Sequence, residues 1–269
     1  MSRIKSVSFI GSGNVATHLA RALKSSGINV KSIYSRNIVH AKLLGDLVGA
    51  KSTDKISEIA VDSDLFIFSI NDSVIGDLAK KLKEKVGYDA FVAHTSGMVA
   101  SEIFKEYFND FGVFYPLQTF RKSRNVEVRE VPFLITGSSN TEENILFELA
   151  SMISDNVHFI DDAKRKILHV AAVFANNFTN FMYSISYEIV QKENIDFQLL
   201  KPLIKETAMK IVDGQKPKDV QTGPAVRNDI NTINAHLSYL SDYTVTKRLY
   251  QMLTESIIEA NSLNNAAIK

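Results

Sequence analysis

The feature that constrains this chain most is a glycine-rich turn close to its N-terminus. A short apolar run precedes Gly11-x-Gly13-x-x-Ala16, and an amphipathic stretch follows. A strand, a glycine turn and a helix in this order predict a dinucleotide-binding unit, because Gly11 permits the tight turn and Gly13 lets the backbone approach a pyrophosphate. Ala16 allows the helix to pack closely on the strand, and the N–H groups of Asn14 and Val15 are available to phosphates. The alternative is a plain glycine turn.

The first 160 residues alternate short apolar runs with amphipathic stretches. The runs lie at 7–10, 30–34, 65–70, 90–93, 112–115 and 132–135. Continuously apolar strands that alternate with helices are typical of a parallel sheet that is covered on both faces. We therefore predict an α/β fold in which residues 1–160 form a domain with a doubly wound parallel sheet.

After residue 160 no further strand is expected. Helical patterns occupy 163–191, 197–212, 229–240 and 245–263, and a loop with two prolines occupies 216–224. Residues 161–269 are therefore predicted to form an all-helical domain.

Composition excludes several classes of function. The chain has 31 Lys and Arg against 30 Asp and Glu, so no basic field favours nucleic acid or an anionic membrane. Cysteine is absent, which excludes thiol nucleophiles, disulfides and zinc–thiolate sites. No secretion signal is recognisable at the N-terminus, so we expect a cytoplasmic protein without a metal site.

The end of the second predicted strand distinguishes between dinucleotides. NAD sites usually place Asp or Glu here to bind the ribose hydroxyls, but this chain reads Tyr34-Ser35-Arg36-Asn37. Arg36 can pair with a 2′-phosphate, and Ser35 can donate a hydrogen bond to it. We therefore predict NADP(H) rather than NAD(H). The alternative is that Arg36 is a solvated surface charge.

The run at 65–70 ends in a second candidate cofactor contact. Ligands of open α/β sheets bind at the carboxyl ends of the strands, so Ser69 and Asn71 are expected beside the cofactor. Capping of a helix by Asn71 or Asp72 is an equal alternative, and both can hold together.

Two further strand ends supply candidate substrate contacts. Thr95 and Ser96 can hydrogen-bond a carboxylate or a carbonyl group, and His94 can act as an acid or a base. The alternative is a loop that caps a helix beginning near Val99. In the next loop, Gln118 is expected to contact substrate.

The longest predicted helix carries a polar strip. It has no charged residue from Ile167 to Tyr187, yet its histidine and asparagines are too polar for lipid, so we expect no membrane span and a helix buried in protein. At about 100° per residue, His169, Asn176, Asn180 and Tyr183 share one strip. The polar side chains of this strip need hydrogen-bond partners, which are either a substrate or the helical domain's own backbone. The apolar face predicts a homodimer through the helical domain.

A glycine–proline turn precedes the third helix of the helical domain. Asp229 is placed to cap that helix. Arg227 can bind a substrate carboxylate or reach the cofactor. The alternative is an ion pair between the domains, with Glu206 as one partner.

These motifs together resemble a known family. The glycine turn with Tyr34-Ser35-Arg36 resembles the NADP-binding domains of the 6-phosphogluconate dehydrogenase-like superfamily, which includes pyrroline-5-carboxylate reductases and β-hydroxyacid dehydrogenases. Four later segments, at 94–97, 114–120, 169–178 and 222–229, resemble a bacterial family of NADP oxidoreductases. The resemblance implies a Rossmann-like domain followed by a helical domain of unknown function, over essentially the whole chain.

One position departs from the pattern of the β-hydroxyacid dehydrogenases. Their catalytic Lys lies four residues before an Asn, but here Asn177 is preceded by Val173 at that position. The lysine mechanism is therefore not carried over. We expect His169, one turn earlier, to donate the proton, and Asn177 and Ser96 to position the substrate, with Asn176 as a further substrate contact.

The sequence therefore predicts an NADP(H)-dependent oxidoreductase that transfers a hydride between nicotinamide and a small carbonyl or imine substrate. The missing lysine motivates a second hypothesis, an NADP(H)-binding sensor or scaffold without turnover. Reduction that involves a deazaflavin is a third, for which the sequence identifies no site. The expected partners are the substrate and a second copy of the chain, with neither nucleic acid nor membrane.

Overall fold

The structure is a computed structural model that describes the backbone of residues 3–267 and the side chains of residues 3–262. The chain divides into two compact units, Met1–Phe178 and Thr179–Lys269. The first unit therefore extends beyond residue 160, where the sequence predicted the boundary between domains. It includes the first helical segment after the sheet.

An eight-stranded sheet forms the centre of the first unit, in the order β3-β2-β1-β4-β5-β6-β7-β8. The strands are β1 (Ser6–Ile10), β2 (Asn29–Tyr34), β3 (Lys51–Thr53), β4 (Leu65–Phe68), β5 (Val92–His94), β6 (Phe111–Pro116), β7 (Phe133–Gly137) and β8 (Val157–Phe159).

One pair of strands departs from the predicted parallel sheet. β6 and β7 are antiparallel, whereas every other neighbouring pair is parallel. A parallel pair needs a crossover, which is usually a helix. The connection from β6 to β7 contains only a short 3-10 turn at Val128–Glu130, so the chain returns antiparallel.

Helices cover both faces of the sheet, which confirms the doubly wound α/β prediction. They are α1 (Asn14–Ser25), α2 (Ile38–Val48), α3 (Ile75–Val86) and α4 (Asn140–Ser151), and a fifth helix, α5 (Asp162–Ala172), follows β8. Leu19, Leu44 and Leu146 pack into the core on one face, while Leu78 and Phe104 pack into the core on the other. Every residue of β4 is buried, as the near-continuous apolar run predicts.

The helix predicted over 163–191 is interrupted. Val173–Phe178 is a π-helical segment between α5 and α6 (Thr179–Lys192). A π turn closes through i→i+5 bonds, so it shifts the angular position of the residues that follow. The predicted strip therefore does not run unbroken from His169 to Tyr183. The prediction of a buried helix is also wrong for the single chain, since the side chain of Phe174 is 64 % exposed.

The regular secondary structure of the second unit is helical in the residues that the structure describes, as predicted. After α6 it contains α7 (Lys201–Val212), α8 (Ile230–Tyr239) and α9 (Thr244–Ala267). The prediction that Asp229 caps α8 is confirmed, because its carboxylate accepts a hydrogen bond from the Thr232 N–H at 3.1 Å. Among the described helices, none has the length and apolar character that crossing a membrane would require.

Candidate functional site

The glycine turn draws three strand ends together. The Gly11 N–H donates to the Tyr34 carbonyl at 2.8 Å, and the Ser69 N–H donates to the Ile10 carbonyl at 2.8 Å. Gly11 has a φ of +119°, and a Cβ there would lie 2.1 Å from the Ser69 carbonyl oxygen. Glycine is therefore required at this position by both conformation and space. This is the point at which strand order reverses, where open α/β sheets bind ligands.

The start of α1 is open to an anion. Gly13 is its N-cap residue, no side chain caps the helix, and the first turn contains no acid. A Cβ on Gly13 would meet no atom within 4 Å, so the space beside the turn is free. The first N–H groups of an α-helix, here those of Asn14 and Val15, have no partner within the helix. Ala16 is fully buried, as close packing on the strand requires.

A cavity of about 400 Å³ lies beside this turn, and we call it the Gly11 cavity. All the predicted cofactor contacts line it except Val15, whose side chain packs against the core. Its lining residues are Gly11, Ser12, Gly13, Asn14, Tyr34, Ser35, Arg36, His40, Ser69, Ile70, Asn71, Val74, Leu78 and Lys122. The cavity is thus lined by backbone, small polar groups and two cationic side chains, a set that suits phosphates.

The cationic side chains of this cavity come from distant parts of the sequence. Arg36 is exposed, and among the described residues it forms no ion pair. Lys122 was not predicted, and its N–H donates to Asn14 Oδ1 at 3.2 Å across 108 residues of sequence. His40, on α2, was also missed, although it lies four residues after Arg36 in the sequence.

The structure does not show helix capping by Asn71 or Asp72, which was the alternative predicted for the loop after β4. Asn71 occupies the N-cap position of a short 3-10 turn, but its side chain makes no capping bond, and α3 begins after Val74 without a side-chain cap. The Asn71 side chain therefore remains available to a ligand. Ser69 is buried and accepts a hydrogen bond from the Thr95 hydroxyl at 3.2 Å.

A second cavity, of about 500 Å³, lies beside α5 and the π-helical segment, and we call it the His169 cavity. Its lining residues are Tyr115, Leu117, Gln118, Thr119, Leu168, His169, Ala171, Ala172, Val173, Ala175, Asn176 and Asn177. Four predicted residues, namely His169, Asn177, Asn176 and Gln118, are therefore brought together here.

His169 is held in place from two sides. Its Nδ1 lies 2.9 Å from the Tyr115 hydroxyl, and the two rings meet edge to face. A Cβ on Gly97 would lie 2.4 Å from the same Nδ1, so the backbone of the loop after β5 packs directly against the imidazole. Tyr115 was not predicted to take part. Burial raises the pKa of its phenol, which therefore keeps its proton over a wide pH range.

A buried charge network fixes the start of α5. Arg165 is fully buried and donates to the Thr136 hydroxyl at 3.0 Å and to the Val99 carbonyl, and it pairs with Asp162. The Asp162 carboxylate also accepts from the Ser101 N–H at 2.8 Å. Burial alone would raise the pKa of Asp162, but these hydrogen bonds and the Arg165 charge hold it below its usual value. The network ties α5, and hence His169, to the loop after β5.

His94 and Ser96 serve the structure of that loop. His94 is completely buried, its Nδ1 accepts from the Ser96 N–H at 3.2 Å, and its Nε2 lies 3.4 Å from the Ala100 carbonyl. Burial lowers its pKa to about 4, so the ring is neutral near pH 7. The Ser96 hydroxyl accepts from the N–H groups of Met98 and Val99, and Ser96 lines neither cavity. Instead of the helix expected near Val99, there is one 3-10 turn at Ser101–Phe104.

Two short segments connect the cavities. Thr95 is bonded to Ser69 of the Gly11 cavity, and Gly97 packs on His169 of the other. Similarly, Thr119 lines the His169 cavity and Lys122 lines the Gly11 cavity. Thr119 and Lys122 are three residues apart, and a stretch of three residues spans at most about 11 Å. The cavities are therefore near neighbours within the first unit.

The other residues that the sequence predicted to contact the substrate make the following interactions. Asn176 Nδ2 donates to Asn177 Oδ1 at 3.4 Å, and both side chains are exposed. Gln118 accepts a hydrogen bond from the Thr119 N–H at 2.8 Å through its side-chain oxygen. Arg227 is exposed in the second unit. Glu206, the partner considered for it, instead lies 3.8 Å from Lys210.

Comparison with known proteins gives two family matches. Residues 6–92 match the family described as NADP oxidoreductase, coenzyme F420-dependent, and residues 131–257 match a domain of unknown function, DUF2520. A search of curated proteins found no match.

Three solved structures illustrate how this fold recurs. A candidate NADP oxidoreductase from Bacteroides fragilis is 40 % identical, with a TM-score of 0.91 over 95 % of this chain and 98 % of that one. A Thermotoga maritima protein is 24 % identical, with a TM-score of 0.78 over 95 % and 99 % of the chains. An imine reductase from Myxococcus stipitatus, in complex with NADP+, is 13 % identical, with a TM-score of 0.67 over 96 % and 94 %. The last two show likeness of fold alone.

The Bacteroides fragilis protein is similar over almost its whole length, and the two matched regions include the Gly11 turn and the helix that carries His169. The chain therefore belongs to the family of NADP oxidoreductases that combine a Rossmann-like domain with the C-terminal domain of unknown function DUF2520.

Proposed function

We propose that this protein is an NADPH-dependent reductase that acts on a small carbonyl or imine compound. The observation that carries the proposal is the neighbouring position of the two cavities, one suited to phosphates and the other containing a held histidine. In NADP(H) the pyrophosphate lies between the adenosine, which carries the 2′-phosphate, and the nicotinamide, so its site needs a phosphate-binding part with a reaction cavity next to it.

The residues of the Gly11 cavity fit NADP(H). The open start of α1 would bind the pyrophosphate, and Arg36 with Ser35 would bind the 2′-phosphate at the end of β2. Lys122 adds a second positive charge, and the carboxylate that would repel a 2′-phosphate is missing from the lining. The bound dinucleotide would supply the hydride.

The residues of the His169 cavity fit the other half of the reaction. Reduction of a carbonyl or an imine requires a proton on the oxygen or the nitrogen, and His169 is the titratable group placed to donate it. Asn176 and Asn177 would orient the substrate through their side-chain amides. Tyr115 and Gly97 would fix the imidazole in position.

Turnover assays test this proposal. NADPH oxidation is followed with a panel of ketones, aldehydes and cyclic imines, and His169→Gln is compared with His158→Gln, a matched change at an exposed histidine that lines neither cavity. We expect activity with at least one member of the panel. We also expect His169→Gln to lose about 100-fold or more of that activity, and His158→Gln to keep it.

A second function, an NADP(H)-binding sensor without turnover, is favoured by one observation. Val173 lines the His169 cavity at the position where β-hydroxyacid dehydrogenases have their lysine, and its side chain transfers no proton. NADPH binding without oxidation by any member of the panel would support the sensor.

We also propose that the protein is a homodimer. Ile167, Val170, Phe174, Phe178 and Phe181 are all at least 49 % exposed and follow one another at spacings of three and four residues. Exposed apolar side chains grouped in this way are typical of a surface that packs on another protein chain, and a symmetric pair would cover both copies. Sedimentation equilibrium should give twice the chain mass, and Phe174→Glu should give a monomer. A monomeric wild type would refute the proposal.

A further inference from the structure

The His169 cavity also indicates what kind of substrate it accepts. We propose that it takes an uncharged carbonyl or imine compound rather than a carboxylate, an inference that rests on the proposed reductase function. Three features of the molecule support it: the side chains that line the cavity, the positions of the cations on α5, and the hydrogen-bond donor that His169 presents.

The walls of the cavity are apolar. Leu117, Leu168, Ala172 and Val173 contribute to them, and the polar side chains between them are neutral amides and hydroxyls besides His169. In the described part of the chain, no Asp, Glu, Lys or Arg lines this cavity. Its volume of about 500 Å³ is ordinary for a small-molecule site.

The cations of α5 close to His169 are not part of the lining. Lys166, three residues earlier, does not line the cavity, and Arg165, one turn earlier, is fully buried. It is paired with Asp162 and bonded to Thr136 and Val99, so it has no exposed surface to offer a ligand. A carboxylate taken into this cavity would lose water without gaining a Lys or Arg side chain as a partner, which is unfavourable.

The donor in the cavity suits a neutral acceptor. The Tyr115 hydroxyl lies 2.9 Å from Nδ1 of His169, and either of these atoms can be the donor. Where the phenol donates, the imidazole presents an N–H at Nε2, and a protonated imidazole presents an N–H there as well. That N–H is a hydrogen-bond donor for a carbonyl oxygen or an imine nitrogen, with the apolar walls around the rest of the molecule.

A matched pair of probes tests the inference without turnover. Benzoylformate and its methyl ester share a ketone and a phenyl ring and differ in charge. Binding of each is measured by calorimetry with the protein saturated in NADP+, after the affinity for NADP+ itself has been measured. We expect the ester to bind at least about tenfold more tightly than the acid. Equal affinities, or tighter binding of the acid, would overturn the inference.

Two variants report on the cavity itself. Tyr115→Phe should weaken binding of the ester by about three- to tenfold and change the ¹⁵N shifts of the His169 ring. Tyr107→Phe, at a tyrosine that packs against the core and lines neither cavity, should do neither. Val173→Lys places a cation in the lining and should reverse the preference, so that the acid binds more tightly than the ester. An unchanged preference in Val173→Lys would show that the probes bind elsewhere and would refute the assignment.

The same experiment distinguishes failure of the proposed reductase function from failure of the inference on substrate charge. If the protein does not bind NADP+, the calorimetric titration shows this before either probe is added. The comparison of the two probes is then repeated without the dinucleotide, where the same preference is expected, because the lining residues alone produce it.

Discussion

Gly97→Ala should disturb His169 more than any change of similar size in this chain. The added Cβ would lie 2.4 Å from Nδ1 and 2.6 Å from Cγ of the imidazole. Ordinary contact begins at 3.4 Å, so the ring must retreat by about 1 Å (3.4 − 2.4). It cannot then keep its present 2.9 Å bond to Tyr115. The backbone at Gly97 lies outside the left-handed region, so the effect comes from this contact alone.

The expected magnitude follows from that displacement. Overpacking of this kind costs about 1–3 kcal/mol of unfolding free energy, and a 1 Å misplacement of a reacting group costs about 100-fold in rate. Urea unfolding measures the loss of unfolding free energy, and kcat/KM with an accepted substrate measures the loss of rate. The matched control is Gly76→Ala on α3, where a Cβ would meet no atom within 4 Å. This substitution should stabilise the helix by about 0.5–1 kcal/mol.

A double variant isolates the contact. If the clash with the imidazole causes the destabilisation, Gly97→Ala should cost much less unfolding free energy in a His169→Ala background. The reasoning would be refuted if Gly97→Ala kept wild-type stability and activity, or if its cost were unchanged when the imidazole was absent.

Three further predictions concern the same unit. Gly11→Ala should unfold the turn or abolish dinucleotide binding, since a side chain at φ +119° collides with the Ser69 carbonyl; a variant with normal thermal stability and normal NADPH affinity would contradict this. Arg165→Met should cost about 3 kcal/mol in urea unfolding, because it leaves Asp162 buried without its partner, and a cost near zero would contradict the network. His94 binds its proton with a pKa of about 4 when folded and 6.5 otherwise, so unfolding free energy should fall by roughly 3 kcal/mol as the pH falls from 6.5 to about 4. His94→Gln should flatten that part of the pH profile, and an equally steep profile in the variant would show that other groups cause it.

The sequence predicted those parts of the fold that local patterns determine. β4 is continuously apolar, apolar residues mark β1 and β2, and the glycine turn has a fixed geometry, so the positions of these strands followed from a few adjacent residues. β3 and β8 were missed because each has only three residues, with β3 reading Lys-Ser-Thr. The antiparallel β7 depended on the absence of a crossover helix, which the apolar pattern of the strand does not record.

For a similar reason, some residues of the candidate site were predicted and others were missed. The residues around Gly11 lie in consecutive strand-end loops and were predicted together, whereas Lys122 reaches Asn14 across 108 positions. Tyr115 and His169 are 54 positions apart, and no periodicity connects them. Arg165 sits among charged residues at the start of a helix, where the pattern is that of a solvated surface, and only the tertiary structure shows that it is buried.

The most direct test of the account is the preference between two dinucleotides. NADPH and NADH are titrated by calorimetry into the wild type, Arg36→Glu and Lys42→Glu, the last making the same charge change at an exposed position of α2 outside the cavity. Loss of a charge-assisted contact to phosphate is worth at least about tenfold in affinity. We predict that the wild type and Lys42→Glu bind NADPH at least that much more tightly than NADH and that Arg36→Glu loses the preference. Equal affinity of the wild type for both, or an unchanged preference in Arg36→Glu, would contradict the account.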